Sequence, residues 1–350
     1  MEHSFGRGRP FAVGVEEELL LVDAETRALA HVAADVLAAM DVPPGAADHE
    51  AFAAEIELRS PPSVSAGAAT AALGDVRAAA REAGAVLMGA GLHPSAARGD
   101  VRLVAKDRYR KVGEQMRGLF RRTPECALHV HVAMPDPEAA IHAFNGLRRA
   151  LPLLQGLAAN SPFWFGEDSG FASARAPMVR AYPGCGIPPA FRDFAHYEEL
   201  LAATAAAGGP EDYTLLWWDL RPHPRLGTVE VREMDAQSRL GDVEALAALV
   251  QALAREAVEG SPAPAEPSDA LAWAAFRAAR DGLDAEILHD GELLPLREAV
   301  RRTVARLDGE GLDGVERIAR EGGGAARQRE AYADGGMPAV LDRLVEETEV

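Results

Sequence analysis

Lysine is nearly absent from this chain of 350 residues. Lys106 and Lys111 are the only two lysines, and every other basic side chain is arginine. Neither lysine stands in a G-x-x-x-x-G-K-[ST] pattern, so the P-loop mode of phosphate binding is excluded. Any mechanism that requires a lysine elsewhere in the chain is excluded with it.

Cysteine and long apolar runs are also scarce. The two cysteines, Cys126 and Cys185, cannot form a disulfide framework and belong to no C-x-x-C pair, so we expect two reduced thiols. No run of eighteen apolar residues occurs, which argues against a transmembrane helix. Met1–Phe11 has no apolar stretch of the kind found in export signals, so we expect a cytoplasmic protein.

Positive charge is outnumbered. There are 36 Lys and Arg residues against 54 Asp and Glu residues, which gives a formal net charge of −18. A surface this acidic repels phosphate backbones, so nucleic acid and anionic membrane are poor partners, and small molecules are the better expectation. The apolar fraction of 48% fits a globular protein with a sizeable core.

The pattern of periodic segments predicts an α+β chain that forms one domain over residues 1–350. We expect an α+β body to about residue 259, a linker over 260–269 and a helical portion over 270–350. Within the body, helical periodicity runs from 138 to 159 with an interruption predicted at Pro152, and Asp242 is expected to cap a helix that begins at Val243.

Charged residues recur on one face of four predicted strands. Side chains two positions apart on a strand share a face. The shared-face residues are Glu16 and Glu18 on the first strand, Glu55, Glu57 and Arg59 on the second, His129 and His131 on the third, and Thr228, Glu230 and Arg232 on the fourth. The simplest interpretation of any one of these faces is the solvated side of an antiparallel sheet.

Taken together, these faces predict more than a wet surface. If the four strands share one sheet, several carboxylates are crowded together, and like charges repel unless cations lie between them. Carboxylate oxygens suit Mg²⁺ or Mn²⁺, which commonly share their coordination with substrate phosphates. An arginine on the same face would bind a phosphoryl oxygen. The pattern therefore favours metal-nucleotide chemistry on an open sheet.

The pair His129 and His131 has a second interpretation. An H-x-H strand also opens the metal site of many barrel hydrolases, where two imidazoles hold Zn²⁺ or Fe²⁺. That chemistry needs further His and Asp ligands at the ends of later strands. The remaining histidines do not end obvious strands, so a metal-dependent hydrolase stays the alternative enzymatic hypothesis.

Two further clusters indicate a substrate pocket. Arg221 and His223 flank Pro222, and we expect a rigid turn there that aims Arg221 at a carboxylate. The segment from 160 to 189 is long, rich in Gly, Pro and Ser, and without a clear period, which is typical of a functional loop.

These segments together resemble the glutamate–cysteine ligase type 2 family, the carboxylate–amine ligases. The matching pieces run in order along nearly the whole chain: GVEEELLLVD (14–23), ELRSPP (57–62), GLHP (91–94), RY (108–109), HVHV (129–132), LPLL (151–154), SPFW (161–164), GEDSGFASAR (166–175), GIPP (186–189), WWDLRPHP (217–224), GTVEVREMDA (227–236) and GGGAARQRE (322–330).

The resemblance implies a glutamine-synthetase-like fold, in which a curved, largely antiparallel sheet binds ATP and a divalent metal on its charged face. It implies ATP-dependent amide formation: the γ-carboxylate of glutamate is phosphorylated, and the acyl phosphate is attacked by the amine of cysteine or of another amino acid. The metal ligands implied for Mg²⁺, or Mn²⁺, are Glu16, Glu18, Glu57, His131 and Glu230. The implied catalytic residues are Arg232, which contacts the transferred phosphoryl group, and Arg221; the implied nucleotide-binding residues are Arg175, Arg232 and His129.

The sequence departs from the family pattern at Gly184 and Cys185, where the family tends to have an Arg-Thr pair. The change removes a cation from an expected pocket wall, so the acceptor stays open between cysteine and another amine. A non-catalytic member that only binds nucleotide is a third hypothesis, against which the intact set of strand glutamates argues. Whether the chain forms a homo-oligomer is also open.

Overall fold

The computed structural model describes residues 1–210, 212–261 and 265–349. Part of the predicted linker over 260–269, namely 262–264, and the last residue of the predicted helical portion therefore lie outside the described residues.

A largely antiparallel sheet forms the centre of the described chain. Its strands lie in the order β2-β3-β1-β5-β9-β8, and β4 pairs with β1 beside that path. The bounds are β1 Val13–Leu21, β2 Ala47–His49, β3 Glu55–Arg59, β4 Leu87–Met88, β5 Ala127–Ala133, β8 Leu220–His223 and β9 Thr228–Asp235. Two hairpins stand apart from it: β6 Phe163–Trp164 with β7 Glu167–Asp168, and β10 Glu286–His289 with β11 Glu292–Pro295.

Helices flank the sheet and form most of the chain beyond residue 240. Their bounds are α1 Ala33–Ala39, α2 Ala66–Glu82, α3 Asp107–Met116, α4 Pro137–Leu157, α5 Arg175–Val179, α6 Phe194–Ala206, α7 Leu240–Glu259, α8 Ser268–Asp281, α9 Leu296–Arg306, α10 Leu312–Glu321 and α11 Gly324–Glu349. Short 3₁₀ turns lie at Arg98–Asp100, Arg117–Arg121, Tyr213–Leu215 and Gly282–Asp284. Within α11 the backbone kinks at Gly336, two residues before Pro338.

The hydrophobic core lies between one face of the sheet and the helices α2, α4 and α7. Alternate residues of β1 and β5, such as Val15 and Val130, point into this core, and their neighbours point to the opposite face. The predicted antiparallel α+β fold with flanking helices is confirmed. The four predicted charged strands do share one sheet, as β3, β1, β5 and β9 in adjacent positions.

A β-bulge interrupts the alternation on β9. Val130 of β5 pairs with Val231, but Leu128 pairs with Met234, so β9 carries one extra residue opposite His129. The bulge shifts the alternation of side chains between the two faces by one residue. Val231 and Met234 therefore both lie in the core, although they are three positions apart. Residues after the bulge therefore change faces, which strict alternation does not predict.

One charged pair is buried in the helix-facing layer. Glu17 points to the core side of β1, where α2 supplies Arg77, and both residues are at most 1% exposed. Arg77 Nε and Nη2 each donate to a carboxylate oxygen of Glu17 at 2.6 Å. Arg77 also donates to the carbonyls of Gln237 and Ser238, which ties the sheet to the chain entering α7.

Several local expectations were wrong. The helix α4 runs through Pro152 without a break, because its buried apolar residues hold it against the sheet despite a cost of about 3 kcal/mol for an internal proline. Asp242 lies inside the first turn of α7, which starts at Leu240, and accepts from Arg317 and Arg327 instead of capping. Pro222 lies within the edge strand β8, where a missing N–H is tolerated, rather than in a rigid turn.

The division into a body to residue 259, a linker and a C-terminal helical portion stays a prediction. The C-terminal portion adds the hairpin β10–β11 to its helices, and α8 follows the linker at Ser268. Among the described residues, no helix combines the length and apolar character needed to span a membrane.

Candidate active site

A cavity of about 710 Å³ lies over the charged face of the sheet. Strands β1, β3, β5 and β9 form its floor, and its walls come from loops around residues 50–52, from α3 and the turn after it, and from the segments 175–185 and 212–226. The face that the sequence singles out is therefore the floor of this cavity.

The sheet register brings the predicted acidic and imidazole side chains into contact across strands. Glu16 lies opposite His129, Glu18 opposite Glu57, and His131 opposite Glu230. His129 Nδ1 lies 3.6 Å from Glu16, and His129 Nε2 lies 3.8 Å from Glu18. His131 Nε2 lies 3.5 Å from Glu16 and 3.8 Å from Glu230.

Two groups of donor atoms are close enough to hold a metal ion. Glu16, His129 and Glu230 form one group, and Glu18, Glu57 and His129 form the other, with the donor atoms of each group within 4.8 Å of one another. The sheet thus places the four predicted ligand carboxylates around His129, the residue predicted to contact nucleotide. The predicted ligand His131 lies beside Glu16 and Glu230, and its ligand role stays a prediction.

Both imidazoles offer a nitrogen without a partner. Within the described chain, His129 Nδ1 and His131 Nε2 are buried and accept or donate no hydrogen bond. Buried polar atoms are normally hydrogen-bonded, so each unpartnered nitrogen beside carboxylates calls for an explanation. A divalent cation among these donors fits, because mixed carboxylate and imidazole sets bind Mg²⁺ or Mn²⁺ and relieve the carboxylate repulsion.

Arginines bracket the carboxylates. Arg221 donates from Nε and Nη2 to Glu230 at 2.6 and 3.2 Å and from Nη1 to the carbonyl of Thr214, so its guanidinium holds Glu230 in place. Arg232 contacts Glu230 from the cavity side and lines the cavity. Arg59, which was not among the predicted catalytic residues, contacts Glu57 in the same way on β3.

The arginines and imidazoles decide which carboxylates are charged. Burial favours the neutral form of Glu230, but Arg232 and Arg221 outweigh it and hold the pKa of Glu230 well below its usual value. Burial likewise opposes the charge on Glu16, yet His131 and His129 hold its pKa well below normal. These two carboxylates are therefore ionised at neutral pH.

The opposite holds on the other side of β1. Burial and the charge of Glu50 raise the pKa of Glu18 to about 8. Burial, together with Glu18 and Glu50, raises the pKa of Glu55 well above its usual value. Acids crowded without enough cations keep their protons, so this end of the site gains most from a bound cation.

The two histidines differ in charge. Burial and the nearby Arg232 lower the pKa of His129 to about 4, so its imidazole is neutral and able to act as a ligand. Burial also disfavours charge on His131, but Glu16 and Glu230 outweigh it and raise the pKa of His131.

Sequence reasoning missed four acidic residues of the site. Glu50 and Glu125 lie on loops beside the cavity, where no periodic pattern marks them. Glu233 lies within the bulge of β9 and Asp235 follows it, so both come to the face of Glu230, while simple alternation assigns them to the core. A bulge is not readable from this strand's composition.

Asp235 organises the wall formed by the irregular segment 160–189. Its carboxylate accepts from the backbone N–H of Asn160 and from the hydroxyls of Ser161 and Ser173. Arg175 lies 3.6 Å from Asp235 and donates to the carbonyl of Glu233 at 3.0 Å. Its buried Nε atom has no hydrogen-bond partner among residues 1–210, 212–261 and 265–349. The loop thus presents the predicted nucleotide-binding Arg175 to the cavity.

The comparisons with known proteins agree with this site. The sequence model described as glutamate-cysteine ligase family 2 matches residues 12–347. A provisionally named glutamate–cysteine ligase 2-3 of Rubrobacter xylanophilus is 40% identical over 366 residues, covering 99% of this chain and all of the relative. A glutamate–cysteine ligase of Natronomonas pharaonis is 35% identical over 350 residues, covering 96% and 95% of the two chains.

A solved structure shares the fold at low sequence identity. The glutamate–cysteine ligase of Francisella tularensis, solved in complex with AMP, superposes with a TM-score of 0.72 at 13% identity and covers 97% of this chain and 90% of its own. The relatives and the family match confirm the predicted class of ATP-dependent carboxylate–amine ligase and leave the hydrolase hypothesis without support. The chain belongs to glutamate-cysteine ligase family 2.

Proposed function

We propose that this ligase joins the γ-carboxylate of glutamate to the amino group of cysteine or of a related amino acid or amine, with ATP converted to ADP and phosphate. The observation that carries the proposal is the charged face of the sheet, where carboxylates surround His129. Glu16 and Glu230 form one group of donor atoms with His129, and Glu18 and Glu57 form a second, each compact enough to hold a metal ion. Four carboxylates around one neutral imidazole, with arginines at the rim, suit the handling of ATP phosphates.

The metal is Mg²⁺, or Mn²⁺ in its place, held by Glu16, Glu18, Glu57 and Glu230 with imidazole ligation from His131 or His129. When bound, it neutralises phosphate oxygens and orients the nucleotide for in-line transfer. The fit rests on the donor groups and on the unpartnered imidazole nitrogens.

The arginines have separate roles in this proposal. Arg232 reaches the cavity beside Glu230 and stabilises the charge of the phosphoryl group in transfer. Arg221 is 7% exposed and is paired with Glu230, so it positions that ligand. Part of the Arg221 surface also lines the cavity, and the predicted contact with a substrate carboxylate would be made there. Arg175 supplies a cation on the far wall, for nucleotide phosphates or for a substrate carboxylate.

The reaction proceeds in two transfers. First, an oxygen of the γ-carboxylate attacks the terminal phosphorus of ATP, and ADP leaves with the electron pair of the broken P–O bond. Second, the amine attacks the carbonyl carbon of the γ-glutamyl phosphate, and phosphate leaves. The charged walls of the cavity hold the acyl phosphate in place between the two steps.

An assay with varied acceptors tests the proposal. The protein is incubated with ATP, Mg²⁺ and glutamate, the amine is varied over a panel of amino acids, and ADP release and product mass are followed together. We expect amine-dependent ADP release and a product whose mass equals glutamate plus the amine minus water.

Other outcomes contradict the proposal. Nucleotide binding without turnover for any pair of substrates would identify a non-catalytic member of the family. Activity that appears only with Zn²⁺ and does not consume ATP would favour hydrolase chemistry at His129 and His131.

A further inference from the structure

Glu233 is a buried carboxylate that has no hydrogen-bond partner in the part of the chain that the structure describes. Its side chain lines the active-site cavity, and the residue is 4% exposed. Among the described residues, neither of its carboxylate oxygens takes part in a hydrogen bond. A buried carboxylate without partners is costly, and proteins keep one where a ligand or a proton compensates it.

The cations around Glu233 are engaged elsewhere. Arg180 donates to Asp219 at 2.8 Å, and Asp219 is itself 5% exposed. Arg175 donates to the carbonyl oxygen of Glu233 and lies near Asp235, so its contact is with the backbone and not with the Glu233 carboxylate. The side chain of Glu233 therefore lines the cavity without a hydrogen bond from the described residues, although Arg180 and Arg175 lie near enough to favour its charged form.

The bulge in β9 determines where this carboxylate points. Arg232 and Glu233 both lie opposite His129, the residue shared by the two donor groups. Glu233 thus stands one position along the strand from the arginine assigned to the phosphoryl group. A group bound at Glu233 is next to the place where the acyl phosphate forms.

We propose that Glu233 binds the ammonium group of the acceptor amine and takes one proton from it, which converts the ammonium into the free amine that attacks. The proposal rests on the function proposed above and deepens it by assigning a residue to the acceptor. An ammonium ion compensates the lone carboxylate, and its chemistry matches that of an amino-acid acceptor.

The acceptor loses two protons in the reaction, one to Glu233 and one to phosphate. The ammonium ion gives one proton to the Glu233 carboxylate. The nitrogen lone pair then forms the C–N bond, the C–O bond to phosphate breaks, and phosphate takes that electron pair together with the second nitrogen proton. The carboxylic acid of Glu233 returns its proton to solvent when the amide leaves. Burial and the neighbouring Asp219 raise the pKa of Glu233 well above its usual value, so the empty site favours the protonated acid. The charge of a bound ammonium group favours the carboxylate, which is then a stronger base than an exposed glutamate.

The variant Glu233→Gln tests this assignment, because the amide has the same size and cannot accept the proton. We expect kcat/KM for the amino-acid acceptor to fall by about 100-fold or more. The first step needs no acceptor, so exchange of ¹⁸O between the β,γ-bridging position and the non-bridging positions of the β-phosphate of ATP, with glutamate and no amine, should stay near the wild-type rate.

Hydroxylamine separates a base from a merely structural residue. It is mostly uncharged at neutral pH and needs no proton removed before it attacks. The variant should form the hydroxamate from hydroxylamine at close to the wild-type rate. The conservative variant Glu233→Asp, which keeps a carboxylate, should recover part of the activity with the amino acid.

Glu114→Gln is the control, because Glu114 is an exposed carboxylate on α3 that is paired with Arg110 at 2.7 Å and does not line the cavity. We expect it to change kcat/KM for the amine by no more than a few fold. Loss of isotope exchange in Glu233→Gln, or equal losses with hydroxylamine and the amino acid, would overturn the assignment. Absence of exchange and of amide in the wild type would instead refute the proposed function.

Discussion

At the residue scale, the carboxylates that the sheet gathers around His129 are the most consequential feature. Glu16 and Glu230 belong to one donor group and are ionised, since their neighbours hold both pKa values low. In the proposed function they carry negative charge to a cation, so the amide of glutamine should not replace them.

We therefore expect Glu16→Gln and Glu230→Gln to lower kcat by about 100-fold or more, by analogy with the loss of other transition-state charge stabilisation. Both variants should lose most of the increase in Tm that Mg²⁺ gives the wild type. Turnover and thermal unfolding with and without Mg²⁺ measure this. The exposed Glu25 offers a control, Glu25→Gln, that should leave both readouts unchanged; near-normal activity in Glu16→Gln and Glu230→Gln would contradict the assignment.

His93, in the GLHP segment (91–94), is a buried imidazole held by backbone hydrogen bonds. The ring is 1% exposed, its Nδ1 accepts from the backbone N–H groups of Ser95 and Ala96, and its Nε2 lies 2.8 Å from the carbonyl of Arg27. This arrangement needs the neutral ring, and burial lowers the pKa of His93 in the folded protein.

The sign of the pH effect follows from that shift. The unfolded chain binds a proton at His93 near its ordinary pKa of about 6.5 and the folded chain does not, so the contribution is complete above that pH and falls below it. The loss is at most about 1.4 kcal/mol per pH unit. Urea unfolding of wild type and His93→Asn at pH 7.5 and pH 5.5 should show a stability difference that narrows at the lower pH. A difference that stays constant would contradict the prediction.

At the element scale, the sheet shows what sequence patterns can and cannot predict. The strands β1, β3, β5 and β9 and their charged faces follow from alternation, because each has an apolar face against the helix layer. The short strand β8 is not predicted, because Pro222 suggests a turn. The proline is tolerated in this strand only because β8 lies at the edge of the sheet. The placement of Glu233 and Asp235 on the charged face is not predicted, because the bulge depends on pairing with β5, which is a long-range contact.

The buried pair Glu17 and Arg77 joins β1 to α2 and to the start of α7. Removing one partner leaves an uncompensated buried charge, so Arg77→Met should lower the free energy of unfolding by about 3–5 kcal/mol. The double variant Arg77→Met with Glu17→Gln should recover part of the loss, since the second change removes the stranded charge. Denaturant unfolding measures the free energy of unfolding of each variant. A double variant that is no more stable than Arg77→Met alone would contradict this account.

The C-terminal helix supports the site through Asn160. Gln328 donates from Nε2 to the side-chain and backbone oxygens of Asn160, whose N–H in turn binds Asp235. At Gly324 a Cβ atom would come within 2.0 Å of the Asn160 side-chain oxygen, so only glycine fits.

Gly324→Ala should therefore destabilise the protein by about 1–3 kcal/mol and lower kcat, because it displaces Asn160 and through it Asp235. Gly99→Ala is the control, since a Cβ there meets nothing within 4 Å. Thermal unfolding and the ligase assay give the two readouts. Wild-type stability in Gly324→Ala would mean that the tail does not hold Asn160 in place.

At the scale of the whole molecule, the structure shows where part of the net charge of −18 lies and which cation balances it in a chain with two lysines. Part of the acidity is concentrated on the cavity floor, where arginine is the counter-charge at Glu57 and Glu230. Composition argues against nucleic acid as a partner, but it does not place the carboxylates. The register of four strands places them, and the family match assigns the class of reaction.

The central claim is that the carboxylate is activated by transfer of a phosphoryl group. Glutamate labelled with ¹⁸O in its γ-carboxylate is converted in the presence of ATP, Mg²⁺ and an accepted amine, and the phosphate released is analysed by mass spectrometry. The account predicts one ¹⁸O atom in each phosphate, because the attacking carboxylate oxygen leaves on phosphorus. Unlabelled phosphate formed in step with the amide would contradict it.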